Sequence, residues 1–327
     1  MKLDEKIVIV GYGWVGQANA LALKKMGYPV NYFDIATPVK NYPAYEHVYP
    51  QIKSLGNVLE TDGENTWYIV CIGDRVLSDG TQDISAIEKA LDSLKSTKGK
   101  VILRSTVLPR SLKNLTFDCY IPEFLHEKKG VEECIRPYYF VVGNRNIKQW
   151  PSFIKKWMNK TDKTFEGSPE QAAYIKYLSN IWNASRVALV NEFGDLMHEN
   201  GLEGQHTEAV IDFVFNKKNY LKYGKSFGGH CLPKDISAFG KDHDSDLFKA
   251  VLASNIAHQD VESKRNLKEW FSYWDYQTTT ISFRKLFSIL FRKSHPAAVI
   301  KSVKMKTEPV AQLLMAPFRK NKNDPRS

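Results

Sequence analysis

The sequence predicts an α/β protein: an N-terminal doubly wound parallel sheet, a long central helix that opens an all-α region, and a basic C-terminal tail. Three observations carry this. Short apolar runs alternate with helical patterns between residues 6 and 142, as in strands joined by crossover helices. A capped helical pattern with no breaker runs from Ser168 to Asn200. The positive charge collects at the C-terminal end.

Residues 6–10, Lys-Ile-Val-Ile-Val, read as a buried strand. Residues 14–26 read as a helix and 28–34 as the second strand. Apolar segments recur at 67–72 and 101–103, with a helical pattern at 84–94 between them and a further strand at 139–142. Ser168-Pro169-Glu170-Gln171 then supplies an N-cap serine, a proline at the first helical position and a capping-box glutamine. Asn200-Gly201 is the next stop signal. The helix between them spans roughly 45–50 Å at 1.5 Å per residue. Helical patterns continue to about Trp270. The expected division is an α/β domain at 1–165, a helical domain at 168–270 and a tail at 271–327.

The 327 residues, 43% hydrophobic and 25% charged, suit about two soluble domains. Acids at Asp4 and Glu5 stand where a signal peptide needs a basic start. No apolar run is long enough to span a bilayer. The four cysteines have no paired metal-ligand spacing, so no metal is expected and a reducing cytoplasm is the simplest compartment. Of the +10 net charge, residues 281–327 carry eleven bases against two acids, which leaves about +1 for the rest. A nearly neutral body argues against nucleic acid as a partner.

Gly11-Tyr12-Gly13-Trp14-Val15-Gly16 is a GxGxxG motif that follows a strand and opens a helix. The glycines make a tight turn, admit a pyrophosphate and let helix and strand pack closely. The helix N-terminus offers its N–H groups and dipole to the phosphates. Asp34 ends the second strand where a ribose-binding acid is expected. It would repel a 2′-phosphate and no arginine follows closely, so NAD is favoured over NADP.

Phe227-Gly228-Gly229-His230-Cys231-Leu232-Pro233-Lys234-Asp235 places a cysteine between a Gly-Gly pair and a proline turn, on a loop. Lys234 and His230 are close enough in sequence to favour a thiolate, and Asp235 to orient a water. The residues alone leave this reading level with that of a small buried apolar cysteine.

This stretch resembles the GFGGxCxPKD signature of the UDP-glucose/GDP-mannose dehydrogenase family, and other segments follow in matching order. Arg104-Ser105-Thr106-Val107 resembles the family's STV loop, and Ile121-Pro122-Glu123-Phe124-Leu125-His126-Glu127 its NPEFLRE stretch. Ala172 to Asn180 resembles the start of the family's central helix, and Asn191-Glu192 matches further along. The resemblance covers about residues 5–270 and implies a Rossmann fold. It also implies NAD-dependent oxidation of the primary alcohol of a nucleotide sugar to a carboxylate through a cysteine thioester. On this basis Cys231 is the nucleophile, Lys176 and Asn180 are the oxyanion donors, and Asp235 is the water-activating acid. Glu123 acts in thioester hydrolysis with Thr106 holding a water. Thr106 and Glu127 also face the cofactor, and Phe124, Leu125, Lys176, Asn180, Phe227 and Gly228 bind substrate. The Lys176–Asn180 spacing puts both on one helical face.

The chain departs from the family pattern at Cys71-Ile72-Gly73-Asp74, in place of a Val-Pro-Thr-Pro-like turn, at His126 in place of arginine and at Ala173 in place of glutamate. A basic tail stands where the family has a third domain. Two other readings stay open: a two-electron hydroxyacid-type dehydrogenase, and a catalytically silent NAD-binding interaction subunit. Apolar Ile181, Ala184, Ala188, Leu189 and Phe193 predict a homodimer through the long helix. Phe283, Leu286, Phe287, Leu290 and Phe291 line one face of a basic amphipathic helix. That helix, at 281–293, is expected either to meet an anionic membrane peripherally or to pack on protein.

Overall fold

The computed structural model describes residues 5–161, 163–202, 204–216, 221–229 and 231–265, with side chains except at 127 and 260–265. The amphipathic pattern at 281–293 lies outside the described residues.

Strand β1 (Lys6–Val10) is buried from Ile7 onward, as a strand covered on both faces must be. The chain turns at Gly11, whose φ of +88° is left-handed, and enters α1 (Trp14–Lys25). It returns through β2 (Val30–Phe33) and β3 (Lys53–Ser54), which lie successively outward from β1. The path then crosses to the other side of β1 with β4 (Thr66–Val70), which pairs with β1 in parallel. A hairpin of β5 (Arg75–Val76) and β6 (Gln82–Asp83) follows, then α2 (Ser85–Asp92) and β7 (Lys100–Leu103). Next come α3 (Pro109–Leu112), β8 (Cys119–Tyr120), α4 (Gly130–Ile135), β9 (Phe140–Asn144), α5 (Ser152–Lys160) and β10 (Thr164–Gly167).

The sheet order is β10-β9-β8-β7-β4-β1-β2-β3. The doubly wound reading therefore holds, with one difference: β9 runs antiparallel to β8. The order reverses between β1 and β4, and this switch point opens a crevice at the strands' C-terminal ends. Two layers of buried side chains sandwich the sheet, one around Ile7, Ile9, Leu21 and Trp157, the other around Val8, Val70, Ile87 and Leu103.

The central helix α6 (Pro169–Glu199) is 31 residues long, and its start carries the expected capping box: Gln171 N–H donates to Ser168 Oγ and Ser168 N–H to Gln171 Oε1. Against it pack α7 (Gln205–Phe215), α8 (Cys231–His243) and α9 (Asp246–Arg265), sharing a core of Tyr177, Ile181, Ala184, Val187, Ile236 and Val251. Ile181, Ala184 and Ala188, expected at a dimer face, are thus buried within the chain. The apolar residues left exposed on α6 are Tyr174, Leu178, Trp182, Leu189, Phe193 and Leu196. Among the described residues, no helix is long and apolar enough to cross a membrane.

Candidate active site

The Gly11 turn sits at the switch point. Its N–H donates to Phe33 O, Cys71 N–H to Val10 O and Arg104 N–H to Val70 O, so the ends of β1, β2, β4 and β7 are tied at one level. A Cβ at Gly16 would lie 2.0 Å from Gly11 O, whereas one at Gly13 would meet nothing within 4 Å. The first glycine contact is the close packing of α1 on the turn. The second is open space, the approach a pyrophosphate needs. No side chain caps α1 and no acid lies in its first turn, so the first turn itself does not compete with an anion there. Asp34 is half-buried and braces the turn: Tyr12 N–H donates to its Oδ2 at 2.5 Å and Ala36 N–H to its Oδ1 at 2.9 Å. Trp14 and Val15 are half-buried against the core below. These residues fit a dinucleotide.

The second half of the site lies between α6 and α8. Lys176 and Asn180, one turn apart on α6, are only 5% and 8% exposed, so their polar ends point inward. Asn180 Nδ2 donates to Asp235 Oδ2 at 2.5 Å. Asp235 lies one turn down α8 from Cys231, and the pair share a helix face. Asp235 is buried and Cys231 is exposed. The sequence puts Cys231 on a loop; the structure makes it the first residue of α8. Pro233 is compatible with this because first-turn N–H groups have no intrahelical partner to lose. Lys176 Nζ stands 5.2 Å from the Phe124 ring centroid, which brings the Pro122–Glu123–Phe124 segment to the same helix.

Other expectations are placed differently. Lys234 is paired with Asp74 and Asp235, at 2.6 and 2.8 Å. Two buried carboxylates require a counter-charge there. Burial pushes the Lys234 ammonium down, but Asp235 and Asp74 more than offset that and hold its pKa above the ordinary lysine range. Glu123 is buried in an ion pair with Arg104 and accepts from Asn19 Nδ2 at 2.8 Å. One of its oxygens is therefore occupied by the domain's own scaffold. Phe227 is buried in the helical core, and Gly228 beside it is half-buried. Leu125 is half-buried against the core beneath the sheet. His126, in place of the family's arginine, bonds Glu133 at 2.8 Å, which raises its pKa. The Glu127 side chain and His230 lie outside the described residues.

Three further amides brace the site; Asn191 belongs to the family match, whereas Asn255 and Gln82 carried no signal in the sequence. Asn255 on α9 clamps Phe227 by donating to its carbonyl and accepting its N–H, at 2.9 and 2.7 Å. Asn191 clamps Lys225 O and Gly224 N–H in the same way. Gln82 Nε2 lies within hydrogen-bond distance of Asp74, Thr106 O and Tyr177 OH. In each case a buried or half-buried amide satisfies backbone or side-chain groups of another segment.

A GxGxxG turn at the switch point of a doubly wound sheet, joined to a long helix with buried Lys and Asn facing a second helix, defines a Rossmann-type fold with an attached helical unit. Residues 170–258 match the central domain of the UDP-glucose/GDP-mannose dehydrogenase family. The chain resembles that family in this segment. It is 27% identical to GDP-mannose 6-dehydrogenase of Pseudomonas aeruginosa over 276 residues, 71% of this chain and 63% of that protein. It is also 27% identical to UDP-glucose 6-dehydrogenase of Rickettsia bellii over 291 residues, 76% of this chain and 66% of that protein. The chain thus spans a little under two thirds of the length of these relatives. A UDP-glucose dehydrogenase structure from Pyrobaculum islandicum shares its fold with a TM-score of 0.68 at 24% identity, covering 78% of this chain and 69% of that one. A 3-hydroxyisobutyrate dehydrogenase of Mycobacterium tuberculosis shares it with a TM-score of 0.54 at 15% identity, covering 81% and 94%.

Proposed function

We propose that the chain is an NAD-dependent dehydrogenase that oxidises the primary alcohol of a nucleotide sugar to a carboxylate, in the manner of UDP-glucose to UDP-glucuronate, with Cys231 as nucleophile. The observation that carries this is the 2.5 Å bond from Asn180 of α6 to Asp235 of α8, one turn below Cys231. It supports a site in which residues far apart in sequence serve one carbonyl carbon.

Gly11, Gly13, Gly16 and Asp34 would hold the cofactor's pyrophosphate and ribose. NAD, when bound, supplies the hydride acceptor for each of the two oxidations, alcohol to aldehyde and thiohemiacetal to thioester. Between them, the Cys231 sulfur forms a bond to the aldehyde carbon and the carbonyl oxygen takes the electron pair. Lys176 and Asn180 stabilise that oxygen by donating to it. Water then displaces the thioester sulfur, giving the carboxylate and restoring the thiol. Asp235, fixed by Asn180 and Lys234, takes the water's proton. Thr106 and Glu127 complete the cofactor side of this site. Glu123 serves the hydrolysis through its remaining oxygen, and Phe124, Leu125, Phe227 and Gly228 line the substrate.

The exposed α6 stripe at Leu178, Trp182, Leu189 and Phe193 supports a homodimer through this helix. The unpaired cysteine spacing favours a cytoplasmic setting. The helical unit acts as one domain from about residue 168. The hydroxyacid-type reading shares the fold of the 3-hydroxyisobutyrate dehydrogenase and predicts turnover that does not need Cys231. Incubating the protein with NAD and a panel of UDP- and GDP-sugars, with absorbance of NADH followed, tests the proposal. NADH formation that Cys231→Ser stops short of the acid supports it. No NADH with any nucleotide sugar, or acid formed by Cys231→Ser at the parental rate, overturns it.

A further inference from the structure

The segment 71–83 opens on the Cys71-Ile72-Gly73-Asp74 departure from the family pattern, and it touches both halves of the site. At one end Cys71 and Ile72 lie against the Gly11 turn: a Cβ there would come within 3.0 Å of Cys71 O and 2.5 Å of the Ile72 side chain. At the other end the β5–β6 hairpin lies on α8. A Cβ at Gly80 would be 3.0 Å from Lys241 Cβ and 3.2 Å from Ser237 O. Between these ends stands Asp74, only 6% exposed. Its Oδ1 accepts from Lys234 Nζ at 2.6 Å and its Oδ2 from Gln82 Nε2 at 2.6 Å. Gln82 also accepts Leu108 N–H at 2.9 Å through its Oε1, and its amide nitrogen reaches Thr106 O.

We propose that Asp74 is a positioning residue that latches the cofactor-side loop to α8, holding Lys234 and through it Asp235, while Gln82 extends the latch to the Thr106 loop. The inference rests on the reading of Asp235 as a reaction residue. Its logic is one of charge count. Lys234 is the ammonium placed between two buried carboxylates, and Asp235 has one oxygen beside it and the other on Asn180. Lys234 Nζ is in full contact with both carboxylates, so Asp74 fixes where the ammonium stands and with it the Asp235 carboxylate. Without the Asp74 charge, Lys234 loses its tether to the 71–83 segment and has Asp235 as its one carboxylate. The Lys234–Asp235 pair is then free to turn together, which carries the Asp235 carboxylate off the Asn180 amide. A shift near 1 Å at a reacting group costs about 10²-fold in rate. The Gly11–Gly16 turn and Asp34 are untouched, so cofactor binding survives.

The test compares the full chain with Asp74→Asn, Asp74→Glu, Lys234→Met and the Asp74→Asn/Lys234→Met double variant. Two readouts are taken: turnover on whichever nucleotide sugar the panel identifies, and hydrogen exchange with mass spectrometry. Asp74→Asn should lower kcat roughly 10- to 100-fold while KM for NAD moves less than about threefold. It should speed exchange in peptides spanning 75–83 and 231–240 together, by about fivefold or more. Asp74→Glu should restore both. In the Lys234→Met background the Asp74→Asn change should add little, because its effect passes through Lys234. Parental exchange and kcat in Asp74→Asn, exchange changes confined to 75–83, or effects that multiply in the double variant would overturn the latch. If the parent chain turns over no nucleotide sugar, the proposed function fails, and the exchange data alone decide for or against the latch.

Discussion

Gly13→Ala and Gly16→Ala should separate cofactor approach from folding. A Cβ at Gly16 falls 2.0 Å from Gly11 O and 3.0 Å from Gly11 C, against an onset of ordinary contact at 3.4 Å. The obstruction is backbone, so no rotamer change relieves it. Helix α1 must back away by about 1.4 Å, the difference between those contact values. Overpacking of this kind costs about 1–3 kcal/mol, roughly 2–10 °C in Tm for a domain of this size. It also moves the helix N-terminus from the phosphates. Gly13 is different: its φ is −75° and its ψ −159°, which alanine adopts freely, and its Cβ would meet nothing. Gly13→Ala should keep Tm within about 2 °C, yet its methyl would occupy the space of the pyrophosphate. A loss of NAD affinity of tenfold or more, about 1.4 kcal/mol or more, is expected. Calorimetric titration with NAD and thermal unfolding of both variants give the answer. Parental NAD affinity in Gly13→Ala would refute the placement of the pyrophosphate over this turn.

Three further outcomes are expected. Asp34→Ala should weaken NAD and narrow the preference over NADP, measured as the ratio of dissociation constants, because the carboxylate both repels a 2′-phosphate and braces Tyr12 N–H; an unchanged ratio removes Asp34 from the ribose site. Burial opposes ionisation of Asp62, but hydrogen bonds from Thr97, Lys98, Tyr68 and Gly63 hold its carboxyl at about 2. With the folded value below the unfolded one, its stabilisation is present above about pH 4 and is lost as pH falls towards 2. Asp62→Asn should therefore be less stable than the parent at pH 7 and converge with it in acid, by chemical denaturation at each pH. Trp182→Glu with Phe193→Glu should give monomers in light scattering at micromolar concentration while leaving the fold intact, since both side chains are more than half exposed in the single chain; a parent already monomeric would remove the dimer.

Local chemistry made much of the fold legible. The GxGxxG turn and the Ser168–Gln171 capping box are contacts between residues a few positions apart, and both formed as read. An apolar run, by contrast, does not encode the direction of its neighbour, so the antiparallel pairing of β9 with β8 was invisible. Helix α6 is apolar nearly all round, and periodicity alone does not say which stripe the chain covers for itself. The structure gives Ile181 and Ala184 to the core and leaves Leu178 and Trp182 outside. In the candidate site, the choice of Cys231, Lys176, Asn180 and Asp235 came from the resemblance to family motifs. Asp74 and Lys234 are 160 residues apart, and nothing in either segment announces the other. The same holds for Asn255 and Phe227, where a buried amide meets a backbone segment 28 residues earlier.

The central claim is that one active site carries an alcohol through four electrons by way of a Cys231 thioester. The most direct measurement is the ratio of NADH formed to acid released, with the nucleotide sugar limiting and NAD saturating. The account predicts two NADH per acid and, for Cys231→Ser, acid formation reduced to a trace. A ratio of one, or acid formed by Cys231→Ser at the parental rate, would contradict it.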